Sequence, residues 1–358
     1  MSPGAVGTLH VLLKSGLHRA QVQAGVDRLF RYLNRHRLLV VMYHGVTEEN
    51  FDPPVWTQLP VDTFRRQLLF LRAHYRMVSL PEVVAAIGSG GALPERSALI
   101  TFDDGLRNNF SLAFPLLEEL AVPAAIFLTV DLIGTDRIFW FDELYLLIVA
   151  GGRQRVRLSL PGAGAQRQYE KGELSDAYRA CVEALKRAGE TVRAGFMNEL
   201  RRLVPLERLQ VPDDFHLLDW DEVRHMERSG LVSFGVHTGT HRILSELDPG
   251  GLEAELIAPR KRFAQELGRE PEAFCFPNGR PGLDFLGAHQ DLLRSCGYLC
   301  AFTTENALFD WRAGDKLGIG RVPAGNDALS EPNFFRLNTS GAGSFFTRYR
   351  MAITGTVL

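Results

Sequence analysis

Cysteine is scarce in this sequence, at four residues in a chain of 358. So few thiols, scattered so widely, exclude the disulfide-framed domains of small secreted proteins. The spacing of Cys296 and Cys300 does not match that of a zinc site. We therefore expect the cysteines to be buried and reduced: Cys181, Cys275, Cys296 and Cys300.

A strong charge of one sign and long apolar runs are also missing. The net charge of -2 argues against a protein that binds nucleic acid through phosphate contacts. No run of about 18 apolar residues occurs, so no transmembrane helix is predicted. The hydrophobic fraction of 46% and the charged fraction of 23% are typical of a globular protein, in one α/β barrel with insertions or in two domains.

The first 37 residues lack a secretory pattern, because basic residues interrupt every apolar run. We therefore expect a cytoplasmic location. Apolar residues between positions 9 and 37 nevertheless have helical spacing, and Asp27 is the only acid among the basic side chains. Two interpretations stay open: a helix packed on the domain with a solvated basic face, or a helix in peripheral contact with the inner face of an anionic membrane.

Short apolar runs, separated by amphipathic helical patterns, predict a parallel sheet whose strands are buried on both faces. An open doubly wound sheet and a closed barrel with fewer than eight strands both fit. In either architecture the chemistry collects at the carboxyl ends of the strands. The predicted strands are 38–43, 98–102, 124–130, 231–236, 273–276, 299–304 and 317–322.

Residues 135–215 form a segment too long for a simple crossover between two strands. Helical patterns dominate it, with one short strand candidate at 155–160. We interpret the segment as a mostly helical insertion. It could form a lid or a substrate-side wall, or it could be a stabilising appendage.

Two carboxylates, Asp103 and Asp104, follow the strand at 98–102, and Gly105 permits a sharp turn after them. Alone, this sequence also fits a turn or a helix cap. His237 and His241 follow the strand at 231–236. Two histidines and a carboxylate from neighbouring strand ends are the ligand set of an open divalent-metal site, although chance surface histidines have the same spacing.

A third strand end carries the loop that begins at Cys275 and continues through Pro277 and Asn278. It could be a plain turn. Alternatively, its backbone N–H groups could face the same cavity, with that of Asn278 stabilising an oxyanion.

TFDDG, His-Thr-x-x-His and a Pro-x-Gly loop, in this order, resemble the NodB-homology polysaccharide deacetylases, carbohydrate esterase family 4. The resemblance covers about residues 38–325 without the insertion. It implies a distorted seven-stranded (β/α) barrel as the catalytic domain, preceded by a helical segment at 1–37 and followed by a tail at 326–358.

The resemblance also implies roles for the motif residues. Asp103 takes the role of the catalytic base, and Asp104, His237 and His241 those of ligands to a divalent metal. Zinc is the expected metal, and cobalt, nickel or iron accept the same ligands. The loop at Pro277 and Asn278 then supplies the oxyanion donor.

The activity implied by the resemblance is removal of the acetyl group from an N-acetylated sugar of a polysaccharide, a surface glycan or a glycan precursor. Other hydrolases of this fold type remain alternatives: a sugar O-acetyl esterase, a deformylase or a cyclic amide hydrolase. A catalytically inactive carbohydrate-binding protein is a further alternative.

The sequence departs from the family pattern at two positions. Cys275 stands where many members have the arginine that orients the base, so Arg280 or Arg321 is the candidate substitute. The late histidine that acts as general acid is missing. His44, after the first strand, is the best substitute and resembles the arrangement of exopolysaccharide-modifying deacetylases. For each of these side chains a purely structural role is the alternative.

Four aromatic residues could stack on sugar rings, although core packing is the commoner role of such residues. The candidates are Tyr43, Trp140, Trp220 and Trp311.

Overall fold

The apolar runs of the sequence form parallel strands. The structure, a computed structural model, describes residues 14–153, 171–186, 188–204 and 210–346. Within these ranges the strands are β1 (Leu39–Tyr43), β2 (Gly45–Thr47), β3 (Gln58–Pro60), β4 (Arg76–Met77), β5 (Ser97–Phe102), β6 (Ala124–Leu128), β7 (Val232–Val236), β8 (Ala273–Cys275), β9 (Cys300–Phe302) and β10 (Val322–Pro323).

Seven of these strands lie side by side, all parallel, in the order β10-β1-β5-β6-β7-β8-β9. The segment that enters β10 closes the ring, because Ile319 bridges Phe302 of β9 while Val322 pairs with Val41 of β1. The predicted seven-stranded (β/α) barrel is thereby confirmed. Strand β4 pairs with the start of β5, and β2 pairs with β3 outside the barrel.

Strands β1, β5 and β6 are buried at every position, because helices cover their outer face and side chains fill the barrel. On the outer face the ring of Phe102 packs against Phe64 of a covering helix. Leu99 belongs to a separate cluster of buried apolar side chains, which fills the interior of the barrel. Since side chains alternate along a strand, Thr101 and Asp103 follow Leu99 on the inner side.

Helices alternate with the strands along the chain. The described helices are α1 (14–23), α2 (Val26–Leu33), α3 (Val61–His74), α4 (Leu80–Gly88), α5 (Phe114–Leu120), α6 (Trp140–Arg153), α7 (Leu174–Lys186), α8 (Gly189–Leu203), α9 (Trp220–Arg228), α10 (Pro249–Leu252), α11 (Ala258–Leu267), α12 (Gly287–Ser295), α13 (Pro332–Thr339) and α14 (342–346). None of them is long and apolar enough to cross a bilayer.

The insertion between β6 and β7 is helical in its described part, as predicted. Helices α6, α7 and α8 pack together around a small core of their own, which includes Ile148, Cys181 and Met197. The strand candidate at 155–160 lies outside the described residues.

The two terminal segments contact each other. Arg336 of α13 donates hydrogen bonds to Asp27 of α2, and the Asn34 side chain donates one to the carbonyl of Ser340. Residues 1–13 of the predicted N-terminal segment and 347–358 of the predicted tail lie outside the described residues. The boundaries at 37 and 325 stay predictions.

The cysteines are free thiols. Cys181, Cys275 and Cys300 are buried, as expected, and Cys296 is half-buried instead.

Candidate active site

The carboxyl ends of the barrel strands meet at a cavity of about 1540 Å³. His44 follows β1 there, the two aspartates follow β5, the two histidines follow β7, and Asn278 follows β8. Seven of the residues predicted for the site therefore line one cavity: His44, Asp103, Asp104, His237, His241, Asn278 and Arg280.

Asp104 lies between the two histidines of the motif. Its Oδ1 is 3.5 Å from Nε2 of His237 and 3.4 Å from Nε2 of His241. That oxygen is buried and has no hydrogen-bond partner among the described residues. One carboxylate and two imidazoles converging in this way fit a divalent cation such as Zn²⁺.

Neighbouring groups hold both imidazoles in this orientation. The Nδ1–H of His237 donates to the carbonyl of Cys275 at 2.8 Å, which leaves Nε2 facing Asp104. The ring of His241 packs edge-on against Phe139 and Phe141, at centroid distances of 5.5 and 5.6 Å. The histidines therefore reach the site with their ligand nitrogens already directed at one point.

The loop that carries the histidines is tied down by a residue that the sequence analysis missed. The buried carboxylate of Glu255 accepts hydrogen bonds from the N–H groups of Gly239 and Thr240, at 2.9 and 2.8 Å. Thr238 and His241 have left-handed φ values of 63° and 65°, a conformation that costs free energy in residues other than glycine. The Glu255 contacts offset that cost.

Burial shifts the pKa values of the three candidate ligand residues. Burial, together with the neighbouring Asp103 carboxylate, raises the pKa of Asp104 well above its usual value. Burial lowers the pKa of His237 and, with His237 nearby, lowers that of His241 well below its usual value. A bound cation favours the ionised form of Asp104 instead. The neutral imidazoles can bind that cation without first losing a proton.

A second group of ligand atoms, from Asp103, His237 and Cys275, is equally close together. Burial raises the pKa of the Cys275 thiol well above its usual value. Both oxygens of Asp103 are also occupied by Arg321. The group around Asp104 therefore fits a cation better.

Arg321 is the partner of Asp103. Its Nη1 and Nη2 donate to Oδ1 and Oδ2 of that carboxylate at 2.6 and 2.7 Å. Its Nε donates to the carbonyl of Thr303, so the guanidinium is fixed in a fully buried position. Burial raises the pKa of Asp103, but the Arg321 guanidinium outweighs burial and holds that pKa well below its usual range.

Arg280, the other candidate for orienting the base, pairs with a different carboxylate. Its Nε donates to Oδ2 of Asp284 at 3.0 Å, so its guanidinium is held on the cavity rim. Cys275, in the position of the family's arginine, lies with Sγ 3.5 Å from Oδ1 of Asp103. Asp103 thus pairs with Arg321, which directly precedes β10, and not with an arginine at position 275 as the resemblance implies.

His44 lines the same cavity and packs edge-on against Trp56, with ring centroids 5.0 Å apart. Its backbone carbonyl accepts a hydrogen bond from the Asn109 side chain at 2.7 Å. Burial lowers the pKa of His44 to about 4, against the opposing effect of Asp103. The imidazole is therefore neutral at neutral pH before any reaction begins.

Two carbonyls of the loop after β8 are hydrogen-bonded within the protein. Those of Asn278 and Gly279 accept hydrogen bonds from the hydroxyl and the N–H of Thr304. Asn278 has a φ of 57°, and among the described residues its N–H has no acceptor. Together with the buried Pro277 before it, this geometry leaves an N–H donor beside the cavity.

Of the aromatic residues predicted to stack on sugars, only Trp140 lines the cavity. The other three are buried in the core. Tyr43 donates its hydroxyl to Gln67, and the Trp311 indole donates to a backbone carbonyl. Trp220 is also buried. Trp56, which the sequence analysis did not select, lines the cavity beside His44.

The insertion forms one wall of the cavity. Trp140 at the start of α6, Tyr178 and Lys186 of α7 and Arg193 of α8 all line it. The guanidinium of Arg193 lies 5.1 Å from the centroid of a Trp140 ring. Of the two interpretations of the insertion, this arrangement favours the substrate-side wall.

Comparison with known proteins gives the family. Residues 90–300 match the family model described as polysaccharide deacetylase. Over 87 residues, which are 24% of the chain, the sequence is 30% identical to the poly-beta-1,6-N-acetyl-D-glucosamine N-deacetylase of Escherichia coli (strain K12). The matched region spans only 13% of that relative's length.

Solved structures show the same fold. A polysaccharide deacetylase from Bacillus cereus superposes with a TM-score of 0.54 at 16% identity, over 85% of this chain and 69% of that one. IcaB from Ammonifex degensii superposes with a TM-score of 0.54 at 19% identity, over 85% of this chain and 97% of that one. At such low identity these likenesses establish the barrel alone. Because the family model covers more than half of the chain, this protein belongs to the polysaccharide deacetylase family.

Proposed function

We propose that this protein is a metal-dependent hydrolase that removes the acetyl group from an N-acetylated sugar of a polysaccharide, surface glycan or glycan precursor. One observation carries the proposal: the buried, unpartnered Oδ1 of Asp104 faces two histidine nitrogens beside a second carboxylate, Asp103. The name of the Escherichia coli relative, which is an N-deacetylase of poly-N-acetylglucosamine, supports the substrate class.

In this proposal Asp104, His237 and His241 hold the metal, and zinc suits this ligand set. The metal, when bound, polarises the acetyl carbonyl and makes a nucleophile of water at neutral pH. The three side chains supply one negative charge, so the centre keeps a net positive charge next to Asp103.

Asp103 acts as the base that accepts the proton of the attacking water. The two hydrogen bonds from Arg321 keep its carboxylate ionised and fix the direction of its oxygens. The N–H of Asn278 donates to the oxygen that becomes negative when the amide carbonyl is attacked.

His44 protonates the sugar nitrogen as the C–N bond breaks, which yields acetate and a free amine. Its imidazole is neutral at the start, since burial lowers its pKa to about 4. It must therefore first receive a proton within the site. The proton that Asp103 takes from water supplies it, and the proton inventory of hydrolysis balances.

The size of the cavity fits an extended glycan. Its volume of about 1540 Å³ exceeds the range of roughly 300 to 1,000 Å³ that is usual for small-molecule sites. Trp56 and Trp140 offer aromatic faces to sugar rings within it. We therefore propose several consecutive sugars of one chain as the bound unit.

Acetate release tests the proposal. Metal-loaded protein is incubated with N-acetylglucosamine oligomers, with an O-acetylated sugar and with an N-formylated sugar, and acetate and formate are measured. We expect acetate from the N-acetyl oligomers and none from Asp103→Asn. Release from the ester or the formamide alone would replace the proposed substrate. Tight oligomer binding without any release, equal in Asp103→Asn, would instead indicate an inactive carbohydrate-binding protein.

A further inference from the structure

Helix α2 packs on the protein through two apolar residues, Val26 and Phe30, and through a buried pair of charged residues. Asp27 is fully buried and Arg31 is 7% exposed, although charged residues are rarely buried on a surface helix. Asp27 accepts hydrogen bonds from Arg31 at 3.4 Å and from Arg336 of α13 at 3.0 Å. The buried ion pairs therefore fix which side of the helix faces the protein.

The outer side of α2 is apolar. Leu29, Tyr32 and Leu33 are 55%, 63% and 58% exposed, and their spacing of three and four residues places them on one face. We call these three residues the outer face of α2. Leu17 of α1 is also exposed, at 59%. Helix α2 therefore carries apolar residues on its outer side in addition to Val26 and Phe30 on its inner side, whereas a usual surface helix has a single apolar stripe that faces the core.

Positive charge surrounds the outer face. Lys14, Arg19 and Arg28 are exposed, and within the described ranges none of them forms an ion pair with a carboxylate. The guanidinium of Arg35 lies over the ring of Tyr32, at 4.5 Å from the centroid, and it also pairs with the exposed carboxylate of Glu95. The acid in this part of the chain, Asp27, is buried, so its charge is not presented on the surface.

Helix α2 lies away from the cavity, so a partner bound to its outer face leaves the cavity accessible. The helix leads through residues 34–38 into the start of β1, whereas the site is built on the carboxyl ends of the strands. A large partner on the outer face of α2 therefore contacts the end of the barrel that is remote from the catalytic groups.

We propose that α1 and the outer face of α2 bind the surface of an anionic lipid bilayer, with the leucines in the headgroup boundary and the basic side chains on lipid phosphates. A second copy of the chain is the weaker occupant, because a twofold contact through this surface brings its own positive charges together. The contact is independent of the deacetylase activity.

Vesicle flotation of the full chain tests the inference. The vesicles contain phosphatidylcholine alone or phosphatidylcholine mixed with phosphatidylglycerol. We expect flotation with the anionic vesicles, weaker flotation with the neutral ones and release by high salt. Replacing the outer face by Leu29→Ser, Tyr32→Ser and Leu33→Ser should reduce the floated fraction about tenfold or more.

The matched control removes three other exposed apolar side chains by Val192→Ser, Leu283→Ser and Leu286→Ser, and it should float like the wild type. Circular dichroism of both variants checks that they fold. The inference is overturned if the wild type stays with the soluble fraction at both compositions, or if both triple variants float equally. A dimer in sedimentation velocity that only the α2 variant abolishes would assign the surface to a second copy instead.

Discussion

Arg321 and Asp103 are joined by two parallel hydrogen bonds of 2.6 and 2.7 Å, and both side chains are buried. The pair connects the end of β5 with the residue just before β10, and β1 lies between these two strands. In the proposed mechanism Arg321 orients the base Asp103, although Cys275 stands at the family's usual position for this arginine.

The Arg321→Lys variant tests the role of this pair. Lysine keeps the charge but lacks the planar pair of donors, so Asp103 loses part of what stabilises its ionised form. We expect the turnover to fall by about 10²-fold or more, and the acidic limb of the pH profile to move to higher pH. The pH dependence of kcat/KM measures both effects.

Arg280→Lys is the matched control for that experiment, because Arg280 lines the cavity but pairs with Asp284. The acidic limb of the pH profile of Arg280→Lys should lie at the same pH as that of the wild type. If Arg321→Lys also left the limb unmoved, Arg321 would have no influence on the base.

The role of His44 is tested with two leaving groups. His44→Gln should slow the release of acetate from an N-acetyl sugar by about 10²- to 10⁴-fold, because the amine leaves only after protonation. An aryl acetate, whose phenolate leaves unprotonated, should be hydrolysed at nearly the wild-type rate. Equal losses on both substrates would contradict a general acid and favour a structural role for the imidazole.

Trp140 provides a test of the cavity wall. Trp140→Ala should raise the KM for long N-acetylglucosamine oligomers by about threefold to tenfold, because one aromatic face is lost from the extended site. The KM for the shortest substrate should change little. Trp311→Phe, which alters a buried indole outside the cavity, serves as the control. If Trp140→Ala leaves the KM unchanged for oligomers of every length, the insertion does not contribute to substrate binding.

Asp142 at the start of α6 predicts a pH dependence of stability. It is buried with Oδ1 unpartnered in the described residues, and burial raises its pKa to about 8. In the unfolded chain it ionises near its ordinary pKa of about 4. Between these values the folded state holds a proton that the unfolded state releases, so the free energy of unfolding falls as pH rises.

Asp142→Asn should remove this dependence. The variant should gain on the order of 4 kcal/mol over the wild type by pH 7 and little near pH 4. Urea denaturation at the two pH values measures the difference. A gain of equal size at both would show that the proton on Asp142 is not the cause.

The apolar runs predicted the parallel strands, and the resemblance to the family decided for the barrel. The four motif residues predicted at the metal site line the same cavity. Strands buried on both faces are continuous apolar runs, so six of the seven predicted runs coincide with barrel strands, whereas the run at 317–322 meets β10 only at Val322. Asp103, Asp104, His237 and His241 stand directly after two of them, where the fold must bring them to one edge. Strands β2 and β4 have two or three residues and no periodicity, so no pattern marked them.

Contacts between residues distant in the chain were harder to predict. Arg321 and Arg280 were equal candidates, because 218 residues separate Arg321 from Asp103 and only the closed barrel brings them together. No sequence motif around Glu255 indicates that its side chain holds the loop of His237 and His241. Asp27 is buried because it pairs with Arg336, which lies 309 residues further along the chain.

The ion-binding role of Asp104, His237 and His241 is the central claim, and elemental analysis tests it most directly. Purified wild-type protein should carry close to one divalent metal ion per chain and release acetate from N-acetylglucosamine oligomers. Asp104→Ala, His237→Ala and His241→Ala should lose both the metal and the activity, whereas His225→Ala, at an exposed histidine outside the site, should keep both. Equal metal content in the wild type and the three ligand variants, or full activity of the wild type after the metal is removed by chelation, would contradict the account.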